Sequence, residues 1–217
     1  MRKLLDRITW FRQSAIKWAG TGRTIYLDPW GTGEDEPPAD LILITHAHDD
    51  HFQPSEIDRL RTPATQIVAP HDVAAELSGD VTAVAPGESH EIGGVRFTTV
   101  PAYNTREEAL DFHPKTNRWV GYLLELEGTR YYHAGDTDHA PELDEIETDV
   151  AFLPIGGHFT MDVQQAGELA KMIGPKVAVP FHYGFVVGSA SDGERFKRAA
   201  DPVAVKLMEP TNPFERG

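Results

Sequence analysis

Short apolar runs bounded by glycine, proline and aspartate recur along the chain and predict a strand-rich protein. The runs cover residues 8–18, 24–27, 41–44, 66–69, 95–100, 120–126, 130–133, 150–153 and 177–181. Tight-turn signals at Gly93-Gly94 and Glu127-Gly128 predict two antiparallel hairpins in the middle of the chain.

Helical spacing replaces this pattern over residues 54–60, 71–77 and 162–173, and the last of these segments stops at Gly174-Pro175. Hairpins followed by strands that alternate with helices favour a layered α/β sandwich over an all-parallel sheet. A length of 217 residues suits one domain, so we expect residues 1–217 to form a single unit.

Composition and charge narrow the chemistry. The chain has no cysteine, so any metal must be held by nitrogen and oxygen ligands. A formal charge of −14 repels polyanions, and nucleic acid is therefore not expected as a partner. No apolar run reaches the length of a membrane span and no export signal is present. We expect a cytoplasmic protein with a small-molecule substrate and no membrane partner, with a homo-oligomer as an open alternative.

Residues 46–51 hold three histidines and two aspartates, and they begin two positions after the apolar run 41–44. His46 and His48 can face one ion because side chains two apart in extended backbone point the same way, and the following turn can return Asp50 and His51 beside it. A solvated polar loop is the plain alternative. Such crowding without a cation is rare, so this cluster predicts a metal site suited to zinc, manganese or iron(II).

Two more candidate ligands follow strand-like runs: Asp136 lies after run 130–133, and His182 lies after run 177–181. Sites in layered α/β proteins collect at strand ends. Taken singly, Asp136 is typical of a turn and His182 of a core histidine. Together with residues 46–51 they favour one shared site.

These residues resemble the metallo-β-lactamase superfamily, whose HxHxDH motif is matched by His46, His48, Asp50 and His51. Further similar segments are Asp28-Pro29-Trp30 and residues 132–137, 153–161 and 180–184. Segment 153–161 is similar to the branch that includes ascorbate-6-phosphate lactonase and many uncharacterised metal-dependent hydrolases.

The resemblance implies a four-layer αββα sandwich with two divalent metal ions, zinc first and manganese or iron as alternatives. Asp136 and a hydroxide would bridge the two ions, and His182 would join Asp50 and His51 at the second. The expected activity is hydrolysis of a small ester, lactone or phosphodiester, with Asp50 orienting the nucleophile. Asp28 is expected to accept a hydrogen bond from a ligand imidazole.

The sequence departs from the family where a third histidine of the first site is usual, because Asn104 stands there. Either Asn104 or His113 could complete that site. His113 and His158 are also candidate catalytic groups that stabilise an oxyanion or protonate the leaving group, against the alternatives of a surface loop and a turn. Near the amino terminus, Gln13 stands where this branch often carries histidine.

Two rival functions remain. A nuclease of the same superfamily should carry basic surface for phosphate backbones, and the charge of −14 opposes it. A metal-bound sensor or binding protein without turnover is supported by Asn104.

Overall fold

The protein, described over residues 2–217 by a computed structural model, consists of two facing six-stranded sheets with helices on the outside. The first sheet contains, in spatial order, β1 (Ile8–Trp10), β2 (Ile16–Gly20), β3 (Arg23–Leu27), β4 (Leu41–Leu43), β5 (Gln66–Pro70) and β6 (Val81–Val84). The second contains β12 (Val177–Phe181), β11 (Val150–Pro154), β10 (Thr129–His133), β9 (Val120–Leu126), β8 (Val95–Pro101) and β7 (Ser89–Ile92).

Helices form the two outer layers. The described helices are α1 (Arg2–Leu5), α2 (Pro54–Leu60), α3 (His71–Glu76), α4 (Val163–Ile173) and α5 (Asp192–Ala199), with short 3-10 helices at Glu107–Ala109, Lys115–Asn117 and Pro141–Leu143. Helices α2 and α3 bury Ile57, Leu60 and Val73 in an apolar cluster on the first sheet. Helix α4 contacts β11 of the second sheet and α5. The predicted αββα order is therefore confirmed.

Alternation along the central strands explains why the first sheet can be buried on both faces. Ile42 and Ile67 belong to the cluster under α2 and α3, whereas Leu41, Leu43 and Val68 belong to the core between the sheets. Successive side chains of a strand point to opposite faces, so a continuous apolar run serves two cores at once.

Helix α4 begins and ends where the sequence predicts. The Asp162 carboxylate accepts hydrogen bonds from the backbone amides of Gln164 and Gln165, both at 2.8 Å, and so satisfies donors that the first helical turn leaves free. Gly174 ends the helix in the left-handed conformation, with φ at 54°.

Parallel strands bring distant parts of the sequence to one edge of the sandwich. Strands β3, β4, β5 and β6 are parallel in the first sheet, and β10, β11 and β12 are parallel in the second. The segments that follow β3, β4, β10 and β12 carry Asp28, the 46–51 cluster, Asp136 and His182.

Three features differ from the sequence-based expectation. The run 8–18 forms two antiparallel strands, β1 and β2, with Trp10 paired to Ile16 across an intervening turn. Strands β6 and β7 are missing from the predicted runs, although the hairpin predicted at Gly93-Gly94 is formed by β7 and β8. Helix α5 had not been predicted. Within the described residues, no helix combines the length and the apolar character needed to cross a bilayer.

Candidate metal centre

Seven histidine and aspartate side chains converge at this edge, in three overlapping groups whose possible ligand atoms lie within 4.8 Å of one another. The groups are His46, His48 and His113; His46, His51 and Asp136; and Asp50, His51 and His182. We call the first group the first half-site and the last group the second half-site. All six residues predicted as metal ligands belong to these groups, and His113 is the seventh member.

Asp136 lies between the two half-sites. Its Oδ2 atom is 2.8 Å from His182 Nε2 and 3.5 Å from His113 Nε2, and its Oδ1 atom is 3.3 Å from His51 Nε2. One carboxylate therefore faces both half-sites with its two oxygens. This is the position that a bridging ligand requires.

The backbone delivers the 46–51 cluster through a tight turn after β4. The amide of His51 donates to the His48 carbonyl at 2.9 Å, which folds the segment back on itself. Gly135, directly before Asp136, has φ at 65°, and a Cβ there would lie 3.2 Å from Thr45 and 3.1 Å from the Val120 carbonyl oxygen. Glycine is required here because the Asp136 segment passes so close to its neighbours.

Buried hydrogen bonds fix the rings of the candidate ligands from behind. His51 Nδ1 lies 2.7 Å from Asp28 Oδ2, and His46 Nδ1 lies 2.9 Å from Thr45 Oγ1, which itself donates to Asp28 at 2.7 Å. With their Nδ1 atoms engaged, both rings present Nε2 to the centre, the arrangement that metal-ligating histidines adopt. The predicted contact of Asp28 with a candidate ligand imidazole is present.

Asn104 and His113, the two candidates for the remaining position of the first half-site, lie one behind the other. His113, in the long loop between β8 and β9, turns Nε2 toward Asp136 and places Nδ1 2.8 Å from Asn104 Oδ1. The Asn104 amide nitrogen donates to the Phe159 carbonyl at 2.8 Å, which fixes the amide with its oxygen toward His113. Asn104 therefore lies behind His113 and supports it.

Trp119 encloses the first half-site on one side. Its ring centroid is 5.0 Å from that of His46 and 5.1 Å from that of His48, and its indole nitrogen donates to Asp72 at 2.7 Å. The indole is 6% exposed. An apolar wall of this kind keeps water away from the imidazoles and strengthens their interaction with a cation.

The two half-sites have opposite protonation behaviour. Burial lowers the pKa of His46, His48 and His113, in the last case to about 4, so these rings are neutral at neutral pH. Burial also opposes charge on His51, but the Asp136 and Asp50 carboxylates outweigh it and raise the pKa of His51 well above its usual value.

His182 and the two carboxylates complete this balance. Burial disfavours the His182 cation, yet Asp136 raises the pKa of His182 to about 9. Burial likewise disfavours the Asp136 and Asp50 anions, but the neighbouring imidazolium groups hold the pKa of both carboxyl groups below the usual value. Protons on the second half-site thus occupy the place that a cation would take.

Several buried polar atoms of the centre lack a hydrogen-bond partner, among them His51 Nε2, His113 Nε2 and Asp136 Oδ1. Such atoms cost free energy unless something compensates them. All three point into the space between the half-sites, and neutral imidazole and carboxylate are the ligand types that zinc, manganese and iron(II) accept. The donor set fits two divalent cations.

Cation uptake at the second half-site is expected to release protons, whereas uptake at the first is not. Because His51 and His182 are protonated at neutral pH, a cation must displace those protons, and its apparent association constant should rise roughly tenfold per pH unit for each proton displaced. The part of this rise that comes from His182 should level off above about pH 9, the pKa of His182. Calorimetric Zn²⁺ titrations from pH 6 to 9 measure this, and uptake of both cations with no pH dependence would contradict it.

The remaining candidate catalytic residue, His158, lies outside the ligand cluster. It is exposed, and its ring packs against Phe112 and Phe159 with centroids 5.3 and 4.5 Å apart. The backbone of its loop is fixed by Arg106, which donates to the carbonyls of Gly157 and Thr160 at 2.9 Å. His158 thus packs beside Phe112, the residue that precedes His113.

Three supporting residues were not identified from sequence as parts of the centre: Thr45, Trp119 and Asn104 in its supporting role. Thr45 directly precedes the histidine cluster and could have been found by its position. Trp119 and Asn104 lie far from the cluster in sequence, and only the path of the loop between β8 and β9 brings them to it.

Comparison with known proteins gives consistent results. Residues 7–182 match the family model described as the beta-lactamase superfamily domain. The chain is 34% identical to a UPF0173 metal-dependent hydrolase of Methanopyrus kandleri over 97% of this chain and 100% of the relative. It is also 34% identical to a UPF0173 metal-dependent hydrolase of Thermococcus onnurineus, over 94% of this chain and 96% of the relative.

Solved structures show the same architecture. A protein of Parabacteroides distasonis assigned as a metal-dependent hydrolase superposes with a TM-score of 0.85 at 33% identity, over 94% of this chain and 93% of that one. A metallo hydrolase of the archaeon Ignicoccus hospitalis superposes with a TM-score of 0.77 at 27% identity, over 94% of this chain and 95% of that one.

Proposed function

Because the chain belongs to the beta-lactamase superfamily and is a metal-dependent hydrolase of the metallo-β-lactamase fold, we propose that it hydrolyses a small ester, lactone or phosphodiester with a metal-activated hydroxide. The observation that carries the proposal is the position of Asp136 between two groups of imidazole ligands.

Each half-site has a defined set of ligands under this proposal. His46, His48 and His113 would hold one cation, and Asp50, His51 and His182 the other, with Asp136 shared between them. Zinc suits these ligands best, with manganese or iron(II) as alternatives. When bound, two such cations lower the pKa of water so that hydroxide is available at neutral pH, and they polarise the scissile carbonyl or phosphoryl group.

Asp50 is suited to orient the nucleophile. Its side chain is 21% exposed, which makes it accessible to water, and the positive charge beside it, on the imidazolium groups or on a cation that replaces their protons, keeps the pKa of its carboxyl group low. A carboxylate that stays ionised accepts a hydrogen bond at every working pH. It therefore fixes the direction of an attacking water and is a weak base for removing the proton outright.

His158 and His113 divide the remaining roles. The low pKa of His113, about 4, makes it neutral at working pH, which suits a ligand better than a proton donor. His158 is exposed and belongs to the neighbouring loop, so we assign to it the protonation of the leaving group. Its packing on Phe112 and Phe159 places the ring beside the residue that precedes His113.

The rival functions have less support. The charge of −14 opposes a nuclease, since a polyanionic strand would be repelled. The hypothesis of a sensor without turnover depended on a first half-site in which Asn104 replaces a histidine ligand. His113, with Asn104 hydrogen-bonded behind it, gives the first half-site a third imidazole, and this weakens the argument for a silent centre.

The test is metal content and turnover measured on the same samples. Protein freed of metal by chelation and reloaded with Zn²⁺, Mn²⁺ or Fe²⁺ is assayed against aryl esters, small lactones and an aryl phosphodiester from pH 6 to 9. We expect at least one substrate class to be hydrolysed only after reloading, with kcat/KM of His48→Ala lowered about 10³-fold. His90→Ala is the matched control, because His90 lies on β7 and stacks on Phe97 away from the centre.

Protein that holds two cations per chain yet hydrolyses none of the three classes at any of these pH values would favour the sensor. Protein that binds no transition metal would overturn the proposal as a whole.

A further inference from the structure

Gln13 is a buried amide at the second half-site that belongs to neither group of candidate ligands. It lies in the turn between β1 and β2 with 0% of its surface exposed. Its Nε2 atom is 2.9 Å from Asp50 Oδ2 and 3.0 Å from His182 Nε2. The side chain thus reaches two residues that are 37 and 169 positions away in sequence.

The backbone of Gln13 is held in an unfavourable conformation at this point. Its φ is 45°, in the left-handed region that residues other than glycine rarely occupy. Its carbonyl oxygen accepts from the His182 amide and from the Trp10 indole, both at 2.9 Å. His182 itself has φ at 56°. Such strained backbone persists where the surroundings impose it, and residues of this kind cluster at functional sites.

The amide of Gln13 makes the shortest side-chain hydrogen bond described for Asp50. Candidate ligands His46, His51 and His113 are each fixed from behind by a side chain of their own. Among the described residues, Gln13 gives the hydrogen bond that does the same for Asp50, whose contacts with His51 and His182 are longer, at 3.6 Å. Asp50 is also the more exposed of the two carboxylates, so without this bond it is free to rotate toward solvent.

We propose that Gln13 is a positioning residue, which holds the Asp50 carboxylate toward the second half-site and so sets the affinity of the second cation. This inference rests on the proposed function, because it assumes a cation at that half-site. An amide is suited to the task since it donates a hydrogen bond at every pH and adds no charge to the centre. The structure predicts that the length of the side chain matters, not only its polarity.

Gln13→Asn tests the proposal because it separates positioning from folding. Asparagine keeps the amide and tolerates a positive φ better than glutamine, so the thermal midpoint should stay the same or rise. Its side chain is one methylene shorter and cannot reach Asp50. The second dissociation constant for Co²⁺ should then increase about 10–100-fold, the usual effect of losing a group that supports a metal ligand. The first dissociation constant for Co²⁺ should be unchanged.

Gln66→Asn is the matched control. Gln66 is an amide at the amino end of β5, whereas the candidate ligands lie beyond the carboxyl ends of the strands, and it donates to Asp80 at 3.3 Å. Co²⁺ titration of metal-free protein, followed by visible absorption, gives both dissociation constants and the ligand environment. At saturation the Gln13→Asn spectrum should match that of the wild type. A changed spectrum would mean that Gln13 itself ligates the cation, and equal affinities would mean that it holds nothing; either result overturns the inference.

The outcome can be separated from that of the proposed function. Wild-type protein that takes up fewer than two Co²⁺ ions would contradict the proposed function. Two ions bound equally well by wild type and Gln13→Asn would contradict only the role of Gln13.

Discussion

Asp136→Asn is expected to abolish binding of both cations and to lower kcat/KM by about 10⁴-fold, or about 5 kcal/mol of transition-state stabilisation. Asp136 is 3% exposed and is the carboxylate that contacts both half-sites, with oxygens 2.8 Å from His182, 3.3 Å from His51 and 3.5 Å from His113. An asparagine of the same shape keeps the volume but removes the negative charge and one acceptor oxygen. Neither cation would then have its shared ligand.

Asp138→Asn is the matched control for Asp136→Asn. Asp138 is also fully buried, but it accepts hydrogen bonds from Arg106 and from the amide of Thr105, outside the ligand groups. Loss of this buried ion pair should cost about 3–5 kcal/mol of folding stability and leave both cations bound. Metal analysis and steady-state kinetics on both variants decide the matter. Asp136→Asn with two cations and near-normal turnover would remove the basis of the proposed mechanism.

Most of the centre was predictable because parallel strands place their ends together. The superfamily resemblance seen in residues 46–51 is confirmed by the family match over residues 7–182. Asp136 and His182 each follow an apolar run that became a strand, β10 and β12, and these lie on either side of β11 in one sheet. The local sequence determines where each strand ends, and the parallel arrangement brings those ends to the same edge of the sheet.

The turn at Gln13 could not be predicted from local pattern. Residues 8–18 have an apolar and aromatic character with no glycine or proline to mark a turn, so they resemble one long strand. In the structure Gln13 occupies the left-handed position that glycine would normally take. Tertiary contacts to His182 and Asp50 hold it there, and such contacts leave no signal in neighbouring residues.

Edge strands β6 and β7 were missing from the predicted runs for a different reason, although the turn signal at Gly93-Gly94 indicated the hairpin between β7 and β8. Residues of β7 alternate between exposed and half-buried, so this strand lacks the apolar run by which the central strands are recognised. Three of the four residues of β6 are not buried either. Pairing with a neighbour inside the sheet, β5 or β8, creates both strands.

The choice between Asn104 and His113 was likewise beyond local pattern, because it depends on how the loop between β8 and β9 closes. The backbone amide of Asn104 donates to the backbone carbonyl of His113 at 2.9 Å, and His113 Nδ1 lies 2.8 Å from Asn104 Oδ1. Nine residues separate the two positions in sequence. A family motif that places histidine at position 104 therefore identifies the right region, but here the imidazole nearest the other candidate ligands is that of His113, which comes from the far side of the loop.

His113→Ala is expected to lose one of the two cations and to lower kcat/KM about 10³-fold, or about 4 kcal/mol, because the first half-site is left with two imidazoles and the shared carboxylate. Asn104→Leu removes only the acceptor behind the ring, so both cations should stay bound, with affinity at the first half-site reduced about 10–100-fold. His139→Ala, which removes a histidine paired at 2.6 Å with Asp144 outside the ligand groups, is the control.

The order of these effects carries the assignment. If His113 is the ligand and Asn104 its support, His113→Ala must bind fewer cations per chain than Asn104→Leu. The control variant must bind as many as the wild type. If Asn104→Leu instead loses a cation that His113→Ala retains, the amide is the ligand. The first half-site would then be a weak one, with two imidazoles and an amide oxygen, and the case for a sensor without turnover would regain its basis.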